Sequence, residues 1–188
     1  MIHIIFSIIE ICGLTSTGKS RLVNVVALNL AQYHMVETLY VDTKNDFCAN
    51  RLTSILLARK CENDKLLNIL SKIKYKRVYD FDECLSTLEE FRYNNYQFYG
   101  QIKLLIIDAL PGLFGNYHSG STHIARRLLS EIGILLKRIK QLGIIIILVN
   151  LAVKNDADDG KISNKSFYMY IFINNFTIHF LLKDAKIK

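Results

Sequence analysis

Proline is almost missing from this chain: there is one among 188 residues, while 51% of the sequence is hydrophobic. That combination excludes a disordered chain and leaves a globular one. Cysteine is sparse too. Cys12, Cys48, Cys61 and Cys84 form no C-x-x-C unit and have no histidine at metal spacing. With no charged leader or cleavage site ahead of them, they are expected to be reduced thiols, mostly core, of an intracellular protein. Long apolar runs are lacking as well, and none is of a length that crosses a bilayer. The nearest, residues 167–182, is split by Asn174-Asn175, which between two β-rich arms predicts a C-terminal β-hairpin. Acidic charge is the minority, with 17 Asp and Glu against 24 Lys and Arg for a net charge of +7. Such a balance favours polyanionic partners. Repeats, low-complexity tracts and linkers are absent from the sequence, whose length suits one domain with a single large core.

What is present begins with Gly13-Leu14-Thr15-Ser16-Thr17-Gly18-Lys19-Ser20. This is the phosphate-binding pattern G-x-x-x-x-G-K-[ST], and its context is right as well as its letters. An apolar run through Ile8, Ile9 and Ile11 precedes it, and Leu22, Val23, Val26 and Leu30 follow at helical spacing. A loop between a strand and the first turn of a helix can surround a polyphosphate with backbone N–H groups and the positive end of the helix dipole. Lys19 would reach the β and γ phosphates, and the Ser20 hydroxyl would enter a Mg²⁺ shell.

Strand signals fall at residues 3–12, 38–42, 75–79, 102–108 and 144–150. Helical stripes lie between them at 18–33, 47–59, 82–93 and 122–142, the last carrying Ile124, Leu128, Ile132, Leu135, Ile139 and Leu142 before Gly143. Alternation of this kind predicts an α/β fold with a mostly parallel central sheet and helices on both faces. Asp108 ends the run Leu104-Leu105-Ile106-Ile107. An acid at that strand end, about 90 residues beyond a phosphate loop, can hold the water shell of Mg²⁺.

The motif order carries a resemblance. I-E-I-C-G runs into G-K-S, then come L-Y-V-D-T with R-L eight residues after the Thr, L-L-I-I-D, and V-N closing a strand at Asn150. This order resembles the ATPase core of RecA-type recombinases, a RecA-like P-loop NTPase, and most of all the eukaryotic recombinase paralogues of the D type. The resemblance covers roughly residues 8–165. It implies ATP and Mg²⁺ as cofactors, with Lys19 and Asn150 as catalytic residues and Ser20 and Asp108 as metal ligands. It further implies work in homologous recombination and double-strand-break repair in the nucleus, on single-stranded or branched DNA, in complexes with sister paralogues. Residues 114–120 would stand for the first DNA-facing loop and 153–166 for the second. Tyr117, His118, Arg126 and Arg127 are the DNA-binding candidates, offering phosphate contacts and stacking surfaces. An equally simple reading makes the basic residues of 122–142 a solvated helix face.

Departures from the pattern bear on mechanism. Two positions after the Asp of D-T, strand-exchange recombinases carry the glutamate that activates water; here the residue is Lys44, which cannot act as a carboxylate base. After Asn150, where a polar γ-phosphate sensor is usual, the chain has Leu151. Slow hydrolysis is therefore expected. The expected organisation is one RecA-like domain over 1–188 without the family's N-terminal helical domain. No F-x-x-A polymerisation motif occurs, so no self-filament is expected by that route. Two other readings stand beside this one. One is a non-catalytic structural subunit with a vestigial pocket. The other is a small P-loop kinase, although residues 153–166 contain no arginine for a lid.

Overall fold

The near-pure aliphatic runs become the middle of a sheet, because only a strand covered on both faces can be apolar at every position. The computed structural model describes residues 8–94, 102–117, 122–154, 162–166 and 177–182, with backbone alone at 114–117, 122–126 and from 152 onward. In chain order the elements begin with β1 (Ile8–Gly13), α1 (Lys19–His34), β2 (Glu37–Asp42), α2 (Ala49–Ala58) and α3 (Asn63–Ser71). Next come β3 (Ile73–Arg77), α4 (Phe81–Asn94), β4 (Ile102–Asp108), a 3₁₀ segment (Leu110–Tyr117) and α5 (Thr122–Gln141). The chain then forms β5 (Ile145–Lys154), β6 (Ile162–Ser166) and β7 (Thr177–Leu182).

Strands run in the order β3-β2-β4-β5-β1-β7, every neighbour parallel, and β6 pairs antiparallel with β5. Alternate residues of one run therefore serve opposite layers. Leu104, Ile106, Ile147 and Val149 pack with Val23, Ala27 and Leu28 of α1 and with Leu52, Leu56 and Ile69 of α2 and α3. Leu105, Ile107, Ile146 and Leu148 pack with Phe81, Leu88 and Phe91 of α4 and with Leu129, Ile132, Leu136 and Ile139 of α5. The expected parallel α/β core is present. The ends of three strands, Gly13, Asp42 and Asp108, lie at one edge, where such sheets bind ligands, with Asn150 paired beside Cys12; β5 runs on to Lys154 and does not close at Asn150 as expected.

Several boundaries differ from expectation. Strand β3 covers 73–77, two residues earlier than its apolar signal, and only Ile73 along it is buried, because it is the sheet edge. Helix α3 was not expected; Leu66, Ile69 and Leu70 give it a narrow stripe that spans barely two turns. The early part of the first strand, residues 3–7, lies outside the described residues. So do residues 167–176 of the expected hairpin, including Asn174-Asn175; residues 177–182 form β7, laid parallel against β1. Gly143 does stop α5, at φ 81°, with its N–H on the Lys140 carbonyl.

All four cysteines are free, with Cys12 and Cys84 buried. Burial pushes the Cys84 thiol up to about 12. Burial and then Glu10 bring Cys12 up to about 11. Both are protonated packing groups near neutral pH. No helix among the described residues is long and apolar enough to cross a membrane.

Candidate functional site

The phosphate loop begins where β1 ends and closes where α1 starts. Gly18 precedes the helix at φ 85°, a left-handed conformation open to glycine without strain. No side chain caps the helix start and its first turn holds no acid, so its N–H groups are left for an anion. Lys19 is buried and folds back into the loop, where its ammonium donates to the carbonyls of Gly13, at 2.9 Å, and Leu14. Thr17 Oγ1 donates to the Leu14 carbonyl at 2.9 Å and braces the same turn. Burial, and then the charge of Lys44, hold the Lys19 ammonium below its ordinary pKa. Gly13, Leu14, Thr15, Ser16, Thr17, Gly18, Lys19 and Ser20 thus form one continuous turn around a cavity of about 660 Å³, lined by Thr15 to Ser20 among others.

The β2 and β4 ends supply the opposite wall. Their pairing sets Asp42 beside Asp108. Both Asp42 oxygens are taken up by the loop that follows: Oδ1 accepts from the N–H groups of Lys44 and Asn45 at 2.9 Å each, and Oδ2 from Phe47 at 3.0 Å. The Phe47 ring then stacks on Tyr75 and tilts against Tyr40. Such an Asx-type turn fixes the loop from which Lys44 leaves. Gly112 lies so close to Thr43 that a Cβ would meet its Oγ1 at 2.3 Å. Only glycine fits there, and the Thr43 hydroxyl is in turn bonded to both backbone groups of Ala109.

Asp108 is buried at the end of β4. Its Oδ2 accepts from the Tyr40 hydroxyl at 2.7 Å. Burial, then the Asp108 charge, drives the Tyr40 phenol far above its ordinary value of 10.0, so it is a proton donor at every relevant pH. Asp108 Oδ1 accepts no aligned hydrogen bond, and the Lys44 ammonium stands 2.8 Å from it as a charge partner. The same ammonium donates to Ser20 Oγ at 3.0 Å. Tyr40→Phe would leave a buried carboxylate oxygen without its donor and is expected to lower unfolding free energy by about 1–3 kcal/mol. Urea titration of both proteins checks this, and a change under about 0.5 kcal/mol would sink it.

Asn150 lines the cavity from the third side, but its amide is engaged within the sheet. Nδ2 donates to Glu10 Oε1 at 2.8 Å, and Oδ1 accepts from the Leu151 N–H at 2.8 Å. Asp46 and Arg51 also face the cavity. In the sequence Arg51 stands out only as part of R-L and Tyr40 only as part of L-Y-V-D-T; nothing local marks a tyrosine that serves an acid 68 residues away.

Of the DNA candidates, Arg127 is exposed on α5 with its Nε 3.6 Å from Glu131 Oε1, one helical turn on. The side chains of Tyr117 and Arg126, and the whole of His118, lie outside the described residues. Around the second presumptive DNA segment, β5 and β6 pair antiparallel, Lys154 opposite Ile162. Among the described residues no group of three or more His, Cys, Asp or Glu is placed to hold a metal ion.

A phosphate loop opening a helix, an acid at the end of a parallel strand that β5 separates from the phosphate-loop strand, and this strand order define a RecA-like P-loop ATPase core. Residues 4–168 match the Rad51 family model, and the chain belongs to that family. Comparison with curated proteins finds no match. Membership gives the chain a recombinase-family ATPase role in recombination and repair, with ATP and DNA as the family's ligands.

Proposed function

We propose that this chain is an ATP-binding recombinase paralogue, nearest the D type. It acts in homologous recombination in the nucleus, on single-stranded or branched DNA, within a complex of sister paralogues. It turns ATP over weakly. The observation that carries this is Lys44: where a strand-exchange relative needs a carboxylate to activate water, an ammonium faces the cavity and is engaged with Ser20 and Asp108. ATP then serves mainly as a structural ligand that favours one assembled state.

Within this reading the phosphate loop holds the triphosphate, Lys19 leaves the Gly13 and Leu14 carbonyls for phosphate oxygens, and Asn150 borders the γ-phosphate end. Ser20 and Asp108 mark the cation position beside the phosphates. A Mg²⁺ ion held there would supply charge neutralisation, and the Lys44 ammonium now engages the same two residues. Partner binding is supported by apolar side chains left exposed on the α1–α3 layer, namely Tyr33, Met35, Leu57 and Leu67. DNA contact by Tyr117, His118, Arg126 and Arg127 is supported by the chain's excess of basic charge.

The test is steady-state ATP turnover of the purified protein with and without single-stranded DNA. Losing a positioned base slows a reaction by about 10²–10⁴-fold, so turnover near background is expected in both conditions. Fast hydrolysis stimulated by DNA would make the chain a motor or recombinase proper and overturn the reading.

A further inference from the structure

We infer that Lys44 is the resident cation of the nucleotide site, so that this chain binds the triphosphate of ATP without a divalent metal ion. The inference rests on the ATP reading above and specifies the charge state of the ligand: a metal-free nucleoside triphosphate.

The argument starts from Asp108. A carboxylate this deeply buried needs a compensating charge, and its Oδ1 accepts no aligned hydrogen bond. The Lys19 ammonium is committed to the carbonyls of its own loop. Lys44 Nζ, 2.8 Å away, is the cation that answers Oδ1, while it donates to Ser20 Oγ at 3.0 Å. These two oxygens come from the start of α1 and the end of β4, and the ammonium bridges them from the β2 side. A divalent ion bridging the same oxygens would sit on top of the ammonium, and two cations there repel each other strongly.

Nor is Lys44 a free surface side chain that happens to reach inward. Its backbone N–H is tied to Asp42 Oδ1, Asn45 shares that oxygen, and Phe47 is anchored through Oδ2 and its two ring contacts. Asp42, the other acid at this edge, spends both oxygens on the loop and has little left for a metal. The Lys44 side chain is 36% exposed and lines the cavity. An ammonium has three donors; with one on Ser20 and the Asp108 carboxylate beside it, one is open to a phosphate oxygen. Lys44 can therefore join the phosphates to Asp108 and Ser20, the part a metal ion plays elsewhere.

The experiment is calorimetric titration of ATP into the full chain, in excess EDTA and in excess MgCl₂, for wild type, Lys44→Gln, Lys44→Arg and Lys19→Ala. Wild-type affinity is expected to differ by less than about threefold between the two media. Lys44→Gln removes a charge-assisted contact and should lose about 10–100-fold in EDTA, with Mg²⁺ restoring it. Lys44→Arg keeps the charge and should stay metal-independent, which separates the loss from misfolding. Wild-type binding that needs both Lys19 and Mg²⁺ would overturn the Lys44 inference and leave the ATP reading intact. An identical metal response in wild type and Lys44→Gln would overturn it as well. No binding in either medium, or binding indifferent to Lys19→Ala, would sink the ATP reading and this inference with it.

Discussion

Lys19→Ala is expected to weaken ATP binding by about 10²-fold or more while leaving the fold intact. Once swung toward the ligand, the ammonium makes at least two charge-assisted hydrogen bonds to phosphate oxygens, each worth about 1.5–3 kcal/mol. Losing them shifts the dissociation constant by roughly two decades or more. Without nucleotide the sign is different. Burial and the Lys44 charge depress the Lys19 pKa in the folded chain, so the protonated lysine opposes folding near neutral pH. That penalty is in full force below the depressed value and fades as pH rises through it toward the ordinary 10.5. Removing the ammonium relieves the penalty but leaves the Gly13 and Leu14 carbonyls to water from the cavity. These effects offset, and the ligand-free variant should lie within about 1 kcal/mol of wild type. Calorimetry with ATP and thermal melts of both ligand-free proteins measure the two parts. Binding within a few-fold of wild type would remove the phosphate loop from the site.

Phe91→Ala should produce the opposite pattern, a large loss of stability with no change in nucleotide affinity per folded molecule. Phe91 on α4 is fully buried with Phe81 and Leu88, on the face that α5 also covers. Truncating a buried phenylalanine costs about 3–5 kcal/mol through lost transfer energy and the cavity left behind. That is a large share of the 5–15 kcal/mol typical of a domain. The nucleotide site is insulated from this change because α1 and the phosphate loop belong to the other layer of the sheet. Urea unfolding followed by ATP titration under folding conditions checks both halves. A loss below about 1 kcal/mol would show that α4 is not part of the main core.

How far these outcomes could be reached from sequence differs along the chain. The runs at 104–107 and 144–149 announced central strands because both of their faces are covered, so every position is apolar. Strand β3 gave a displaced signal because an edge strand buries little: Tyr75 is exposed and three of its five residues are basic. Helix α3 escaped notice because its stripe of Leu66, Ile69 and Leu70 is short and Leu67 beside them points to solvent. The helix is held by packing on α1 and α2 more than by its own pattern.

The site divides the same way. Sequence by itself determined the phosphate loop, since its glycines, lysine and serine are consecutive and their chemistry is local. It also determined that position 44 carries a lysine, and identity alone decides that an ammonium cannot accept a proton from water. Only the tertiary structure decided where that ammonium goes. Its place depends on β2 and β4 pairing so that Asp42 and Asp108 lie side by side, on Tyr40 holding one oxygen of Asp108, and on α1 presenting Ser20 across the gap. Those groups are up to 88 residues from one another in the chain. A charge is placed by its neighbours in space, and a parallel sheet assembles neighbours that no local pattern contains.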